Sequence, residues 1–568
     1  MKSLSHITNL QAFIVLLLIG CTTFISVFFN GFVGDDKEQI YNYGLVKGFL
    51  DLPKVFFYHH EVLELHQSVL GAYYKPLMLF YFYTIRMFFG LHPFFYHTPQ
   101  VLLAITNSFL VFVFFKYFFK KEIAFLLSVV FLVHPINQET VAYASNIQDI
   151  LFFVFGISGL LLIQRTKDIK NSWQAGALLL LALLSKETGI LFLGASVLFV
   201  LLYKKGEYKK YLLVFISVVC LYLFLRFMSQ STSVFWIEPS PMSALPFTQR
   251  LTHIPALFSY YVKTFIYPDV LTFNQQWIIK QTNFSNFAAP LLIAITFTVS
   301  VLFGNVFLYI KKSKYFSPFL FFSIWFFAGL APHMQLVALD ATVADRWFYF
   351  SSVGILGMIG VFINLLLVRF PNQKKMFFLC IITICILLAG RTFTRNMEWR
   401  DAFTLYSNDT SRAKSALIEN NLGDEYFKIG DYKSAREHFS TALKINPKLW
   451  IALNNLGIIE EQKGNYSKAL FYYNKALKEN KRLPIYENIA RAQVLSGKQN
   501  DAISFIKPAL NMYPLSANLW LTLSLAQYEK GMFKDALEFA NKSYEIAPDP
   551  KTMNVINAIN NEIIKQNQ

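Results

Sequence analysis

Charged side chains are scarce in this chain: 15% of 568 residues, against 55% hydrophobic and 17% aromatic. That balance excludes an ordinary soluble globular protein and implies an integral membrane protein with a polar portion attached. Cysteine is scarcer still. All four (Cys21, Cys220, Cys380, Cys385) fall in apolar segments, which implies no disulfide framework and leaves the redox compartment unmarked. Acidic residues number 35 against 52 Lys and Arg, for a formal net charge of +17. Much of this excess sits in short clusters between apolar runs. Such clustering is the positive-inside pattern of membrane proteins and not a binding stripe, so no nucleic-acid partner is expected.

Apolar runs are what the chain has in quantity. Eleven lie around 8–29, 98–116, 122–134, 147–163, 173–187, 188–203, 211–228, 290–310, 317–334, 347–368 and 376–391. Several fall short of the roughly 20 residues a span needs, so their ends are soft. Leu18-Ile19-Gly20-Cys21 has the look of a lipoprotein cleavage site, but the apolar run continues through Phe29, which favours an uncleaved helix. The run 76–91 carries Arg86 among Tyr and Phe and suits a helix lying in the membrane interface.

Charge parity tests that placement. Basic clusters stand at Lys116/Lys120/Lys121, Arg165/Lys167/Lys170, Lys204/Lys205/Lys209/Lys210, Lys311/Lys312/Lys314 and Arg369/Lys374/Lys375. With 76–91 on the surface and a cytoplasmic N-terminus, all of them fall inside. Asp35, Asp36, His134, Lys186, Glu187, the loop 229–289, Asp345, Arg346 and everything after residue 392 then fall on the other face. One membrane face thus gathers most of the unusual polar residues, as a site open to that side requires.

Beyond about residue 415 the composition turns polar and repeats. Gly430, Gly464, Gly497 and Gly531 recur at steps of 34, 33 and 34, followed by Ala435, Ala469, Ala502 and Ala536. Asn421-Leu422-Gly423 returns as Asn455-Leu456-Gly457. This is the tetratricopeptide (TPR) period, two antiparallel helices per unit with small residues where they touch. The expected organisation is all-α: a polytopic membrane helical bundle of about eleven spans over 1–395, a linker 396–414, four TPR repeats over 415–548 as an α-solenoid, and a capping helix 549–568.

Individual polar features admit two readings each. Asp35 and Asp36 follow the first run, where repulsion between neighbouring acids at an apolar boundary poises one as a base; re-entry into water or helix capping explains them equally well. Lys75, in Tyr74-Lys75-Pro76-Leu77, puts a cation at head-group level or merely snorkels. His134-Pro135 leads toward Glu139, or simply ends a helix. Lys186 and Glu187 form a costly adjacent pair unless bonded, or a surface turn. Arg346 suits a phosphate held bidentately, the alternative being a surface pair with Asp345; Arg226 suits the same role. His59, His60, His66, Glu61 and Glu64 have a metal-binding composition, but their spacing matches no closed site, so a divalent metal is not expected.

In their order, these features resemble the GT-C class of membrane glycosyltransferases: an acidic pair after the first span, Lys-Pro-Leu on a juxtamembrane helix, His-Pro after the third span, Ser-Lys-Glu between the fifth and sixth. Ala344-Asp345-Arg346-Trp347-Phe348-Tyr349-Phe350-Ser351-Ser352-Val353-Gly354 and the C-terminal repeats are most similar to the transmembrane and TPR-containing O-mannosyltransferases and their bacterial relatives. The resemblance implies a polyprenyl-phosphate-linked sugar as donor and an inverting transfer at the extracytoplasmic face. It makes Asp35 the base, with Asp36 orienting it or binding the acceptor. Lys75 and Arg346 would stabilise the leaving phosphate, with Lys186 and Arg226 as further cations and His134, Glu139, Glu187 and Asp345 in support. A protein acceptor would be presented by the TPR array. The compartment implied is a bacterial inner membrane or an endoplasmic reticulum, and the lack of long low-complexity insertions favours the former. Two alternatives stay open: a GT-C or O-antigen-ligase-like enzyme acting on a glycan or lipid, and a non-enzymatic membrane-anchored TPR scaffold.

Overall fold

A computed structural model describes residues 6–41, 48–57, 74–165, 169–229, 240, 242–273 and 275–567. The candidate metal residues His59, His60, Glu61, Glu64 and His66 lie outside them. Among the described residues the chain is helical, with a single isolated bridge between Gln275 and Val343, and no three His, Cys, Asp or Glu side chains are grouped to hold a metal ion. It divides into two compact units, one ending at Ala413 and one running from Lys414 to Gln568.

Seven helices of the first unit are long and apolar enough to cross a membrane: Phe94–Phe115, Ala144–Arg165, Lys205–Met228, Phe284–Ile310, Phe316–His333, Asp345–Arg369 and Pro371–Glu398. An eighth results if Lys121–Val133 and Pro135–Ala142, bent by 53° at His134-Pro135, are one span. Length keeps the count below the expected eleven. The first run forms the helix Asn9–Thr23, 15 residues, before breaking into a 3₁₀ turn at Ile25–Phe29. At 1.5 Å per residue such a helix reaches about 22 Å of a roughly 30 Å hydrocarbon core. The runs 173–187 and 188–203 become the helices Ile169–Ser185 and Ile190–Tyr203, of 17 and 14 residues, because Lys186-Glu187 interrupts them. Pro76–Phe89 has 14 residues, likewise short of a span.

Local chemistry sets the helix ends. Thr8 and Gln11 form a capping box ahead of Asn9, satisfying two of the otherwise orphaned N-terminal donors. Pro76 opens its helix at a position where no amide hydrogen is needed. Between Phe316–Leu330 and Tyr349–Arg369, Gly354 and Gly357 let the backbones meet: a Cβ on Gly354 would stand 2.6 Å from the Phe326 nitrogen.

Of the expected linker 396–414, residues 396–413 belong to this unit. The helix Lys374–Glu398 runs into Ala402–Arg412, and buried Arg395 holds Asp409 through two nitrogens at 2.7 and 3.1 Å. Asp409 also accepts the Phe273 amide at 2.7 Å. Asn396 donates to the Thr23 carbonyl and Asn30 to that of Asn396, at 3.0 and 3.2 Å. Buried charge of this kind is tolerable only when paired on every side; the Gly31 amide, donating to the Arg400 carbonyl at 2.8 Å, ties segment 396–412 to the acidic loop.

The second unit is four helical hairpins: Ala416–Lys428 with Tyr432–Ile445, Trp450–Gln462 with Tyr466–Glu479, Leu483–Leu495 with Gln499–Met512, and Ala517–Glu529 with Phe533–Ile546. Pro550–Asn567 closes the stack, its Ile556 and Ile559 packing on Ala536 and Ala540. Each hairpin turns at a glycine in the left-handed region, φ +74° to +82° at Gly430, Gly464, Gly497 and Gly531, where a Cβ would clash with the following carbonyl. The repeated alanines are fully buried where the helices of a hairpin touch.

Candidate active site

The acidic pair splits by environment. Gly34 adopts φ +53°, and a Cβ there would lie 2.9 Å from the Tyr143 hydroxyl, so glycine lets Tyr143 approach the loop. Asp36 is fully buried. One of its carboxylate oxygens accepts the Ser145 amide and hydroxyl at 2.7 and 2.6 Å, the other the Val33 amide at 3.0 Å. Burial pushes Asp36 up to about 7 against these three hydrogen bonds. It is an anchor with no edge open to an acceptor.

Asp35 next to it faces outward. Its amide donates to the Tyr143 hydroxyl at 2.9 Å. The side chain is exposed, yet protein surrounds it closely enough that poor solvation raises its pKa. Arg346 foremost, with Lys75, pulls it back, while Asp340 pushes it further up. Asp35, Lys75 and the stretch from Asp340 to Arg346, far apart in sequence, therefore share one electrostatic neighbourhood.

Each cation is steered by an acid. Arg346 donates its amide to Glu139 at 3.2 Å and its guanidinium to the other oxygen of the same carboxylate. That pairing replaces the expected alternative of an Asp345–Arg346 surface pair, because Asp345 is buried and accepts the Tyr260 hydroxyl at 2.6 Å. Lys186 meets Asp149 at 2.6 Å with both side chains largely buried. Arg226 meets Glu187 at 3.3 Å, and Glu187 also accepts the Tyr74 amide at 3.2 Å. Glu187 thus joins the turn after Ser185, the end of the helix Tyr208–Met228 and the start of Tyr74-Lys75-Pro76. Lys75 lies in the fields of Glu187, Asp149 and Asp340, and burial lowers its pKa to about 8.

His134 has a structural place. Its ring stacks on Phe265 with centroids 4.6 Å apart, one nitrogen accepts the Ile136 amide at 3.2 Å, and the other sits 2.8 Å from the Phe265 carbonyl. Both nitrogens are occupied at the bend, which matches the helix-ending reading of His134-Pro135. Tyr143, Ser145, Asp149 and Asp340 complete the neighbourhood without having been singled out from sequence. For Asp149 a signal existed: an acid at the start of an apolar helix requires a cation nearby.

Known proteins bear on this arrangement. A tetratricopeptide repeat family model matches residues 420–484. A protein O-mannosyl-transferase of Caenorhabditis elegans is 23% identical over 456 residues, covering 77% of this chain; the chain spans 63% of that relative's length. Among solved structures, MamA of Desulfovibrio magneticus RS-1 aligns at 15% identity and TM-score 0.23, covering 26% of this chain and 92% of its own. A thermophilic TPR protein of Thermus thermophilus aligns at 17% identity and TM-score 0.24, covering 32% of this chain and 95% of its own. Through the curated relative and the repeat model, the chain is similar to a protein O-mannosyltransferase and carries tetratricopeptide repeats.

Proposed function

We propose that the first unit is a GT-C-type glycosyltransferase that moves a sugar, mannose by analogy with the relative's name, from a polyprenyl-phosphate carrier to a Ser or Thr hydroxyl of a protein. The carrying observation is that the short segment 139–143 holds both parts: Tyr143 takes the Asp35 amide and Glu139 takes Arg346, so a base and a cation are brought to one segment from distant parts of the chain. In the reaction, the acceptor oxygen attacks the anomeric carbon while its proton passes to Asp35. The bond from that carbon to the phosphate oxygen breaks, and the phosphate leaves with the electron pair. Lys75 and Arg346 stabilise the charge that develops there. Glu139, Asp149 and Glu187 hold Arg346, Lys186 and Arg226 in place, and Glu187, Lys186 and Asp149 set the field around Lys75.

Asp36 orients the loop that carries Asp35. The parity of the basic clusters supports a site on the non-cytoplasmic face of a multi-pass protein, in a bacterial inner membrane or the endoplasmic reticulum. The TPR unit engages the protein acceptor, in keeping with the peptide-binding habit of such solenoids. Asp35→Asn removes the base and keeps the shape. Glycopeptide mass analysis of envelope proteins is expected to find the modification lost from cells carrying that variant at normal membrane level. Full modification would overturn the assignment.

A further inference from the structure

A separate cavity of about 670 Å³ opens in the first unit between Ile254–Ile266 and the segment leading into Ala289–Ile310. Its lining includes Ser259, Lys263, Trp277, Lys280, Gln281 and Asn286, two cations with hydroxyl and amide groups and no carboxylate. The size falls within the roughly 300–1,000 Å³ typical of ligand sites. Its rim is built to hold shape. The Ile279 amide donates to His253 at 2.8 Å, the His253 ring stacks on Trp277, and Thr342 takes the Trp277 amide at 3.0 Å and donates to its carbonyl at 2.7 Å.

The setting selects the occupant. The cavity lies at the start of the apolar helix Phe284–Ile310, and in Ala289–Ile310 only Val301 and Leu308 are buried. Leu292, Ile293, Val299 and Phe303 are exposed, an outward surface suited to acyl chains. Trp and Lys just outside such a helix sit at head-group level. Among the described residues Lys263 pairs with Asp269 alone, in an exposed contact at 3.3 Å that water screens. We infer that this cavity binds the head group of an anionic phospholipid, its phosphate between Lys263 and Lys280 and its chains along the exposed face of Ala289–Ile310.

The cavity is also wired inward. The Trp277 indole donates to Gln275 at 3.2 Å, Gln275 donates to the Tyr260 hydroxyl at 2.9 Å, and Tyr260 donates to Asp345 at 2.6 Å, the residue before Arg346. A bound head group therefore steadies the segment that presents Arg346. The inference stands whether or not the first unit transfers sugar.

The test uses the full-length protein in an uncharged detergent, with native mass spectrometry and thermal unfolding as readouts. Phosphatidylglycerol is expected to remain bound and raise Tm, where phosphatidylcholine and inorganic phosphate do neither. In K263E/K280E the affinity falls about tenfold or more, and K263Q/K280Q, which removes only the charges, falls in the same direction. K311E/K312E, in a basic cluster elsewhere, keeps wild-type binding. Undiminished phosphatidylglycerol binding in both Lys263/Lys280 variants overturns the inference. So does a Tm rise of equal size with inorganic phosphate, or loss of binding in K311E/K312E.

Discussion

Asp35 and Asp36 are chemically identical neighbours given different work by one residue of offset. Asp36 turns inward onto Ser145 and Val33, and Asp36→Ala would leave those donors buried without an acceptor. The expected cost is about 2–4 kcal/mol, read as a lowered Tm with the membrane level reduced. Asp35 turns outward, and in the proposed reaction it acts as the ionised base, so its raised pKa sets an acid limb above the ordinary carboxylate range. In the same proposed reaction Lys75 acts as a cation, and that charge is lost as pH rises through about 8. Transfer should therefore climb from acid pH, level off and decline above about 8. Lys75→Arg keeps its charge past pH 12 and is expected to carry the alkaline limb upward; an unmoved limb would free Lys75 of that role. Which aspartate faces out was not legible in Gly34-Asp35-Asp36, because it depends on Tyr143 and Ser145 more than a hundred positions away.

At the scale of the element, the polar residues sit where helices stop. Lys75 precedes Pro76–Phe89, Lys186 and Glu187 separate two short helices, Arg226 ends Tyr208–Met228, and Arg346 lies in the turn opening Tyr349–Arg369. Helix ends were readable from apolar run lengths and proline positions, so these residues could be picked out one by one. Their partners could not, since Glu139 reaches Arg346 across 207 residues. The packing beneath the turn at Arg346 is tight. Gly354→Val would drive side-chain atoms into the Phe326 backbone, forcing the two helices apart at about 1–3 kcal/mol. Tm should fall, and transfer should fall further than stability alone explains, since Arg346 lies in the turn that opens the displaced helix; unchanged Tm would show the contact to be slack.

The whole molecule is two units with separate cores. The second unit's clusters, such as Ala435 with Phe439 and Leu456, or Ala502 with Ile506 and Leu523, draw only on its own repeats. Residues 414–568 expressed alone should give a helical circular-dichroism spectrum and a cooperative thermal transition; an unfolded product would mean that the first unit is required. The repeat array was set by the sequence alone, because each hairpin packs on its neighbours at a fixed period and its turns need glycine at φ > 0. Apolar content likewise marked the membrane unit. Only tertiary structure decided that residues 396–413 belong to that unit, and that Arg346 meets Glu139, Lys186 meets Asp149 and Arg226 meets Glu187. Local periodicity specifies helices within a few turns, whereas a buried charge finds its counter-charge only after the chain has closed over hundreds of residues.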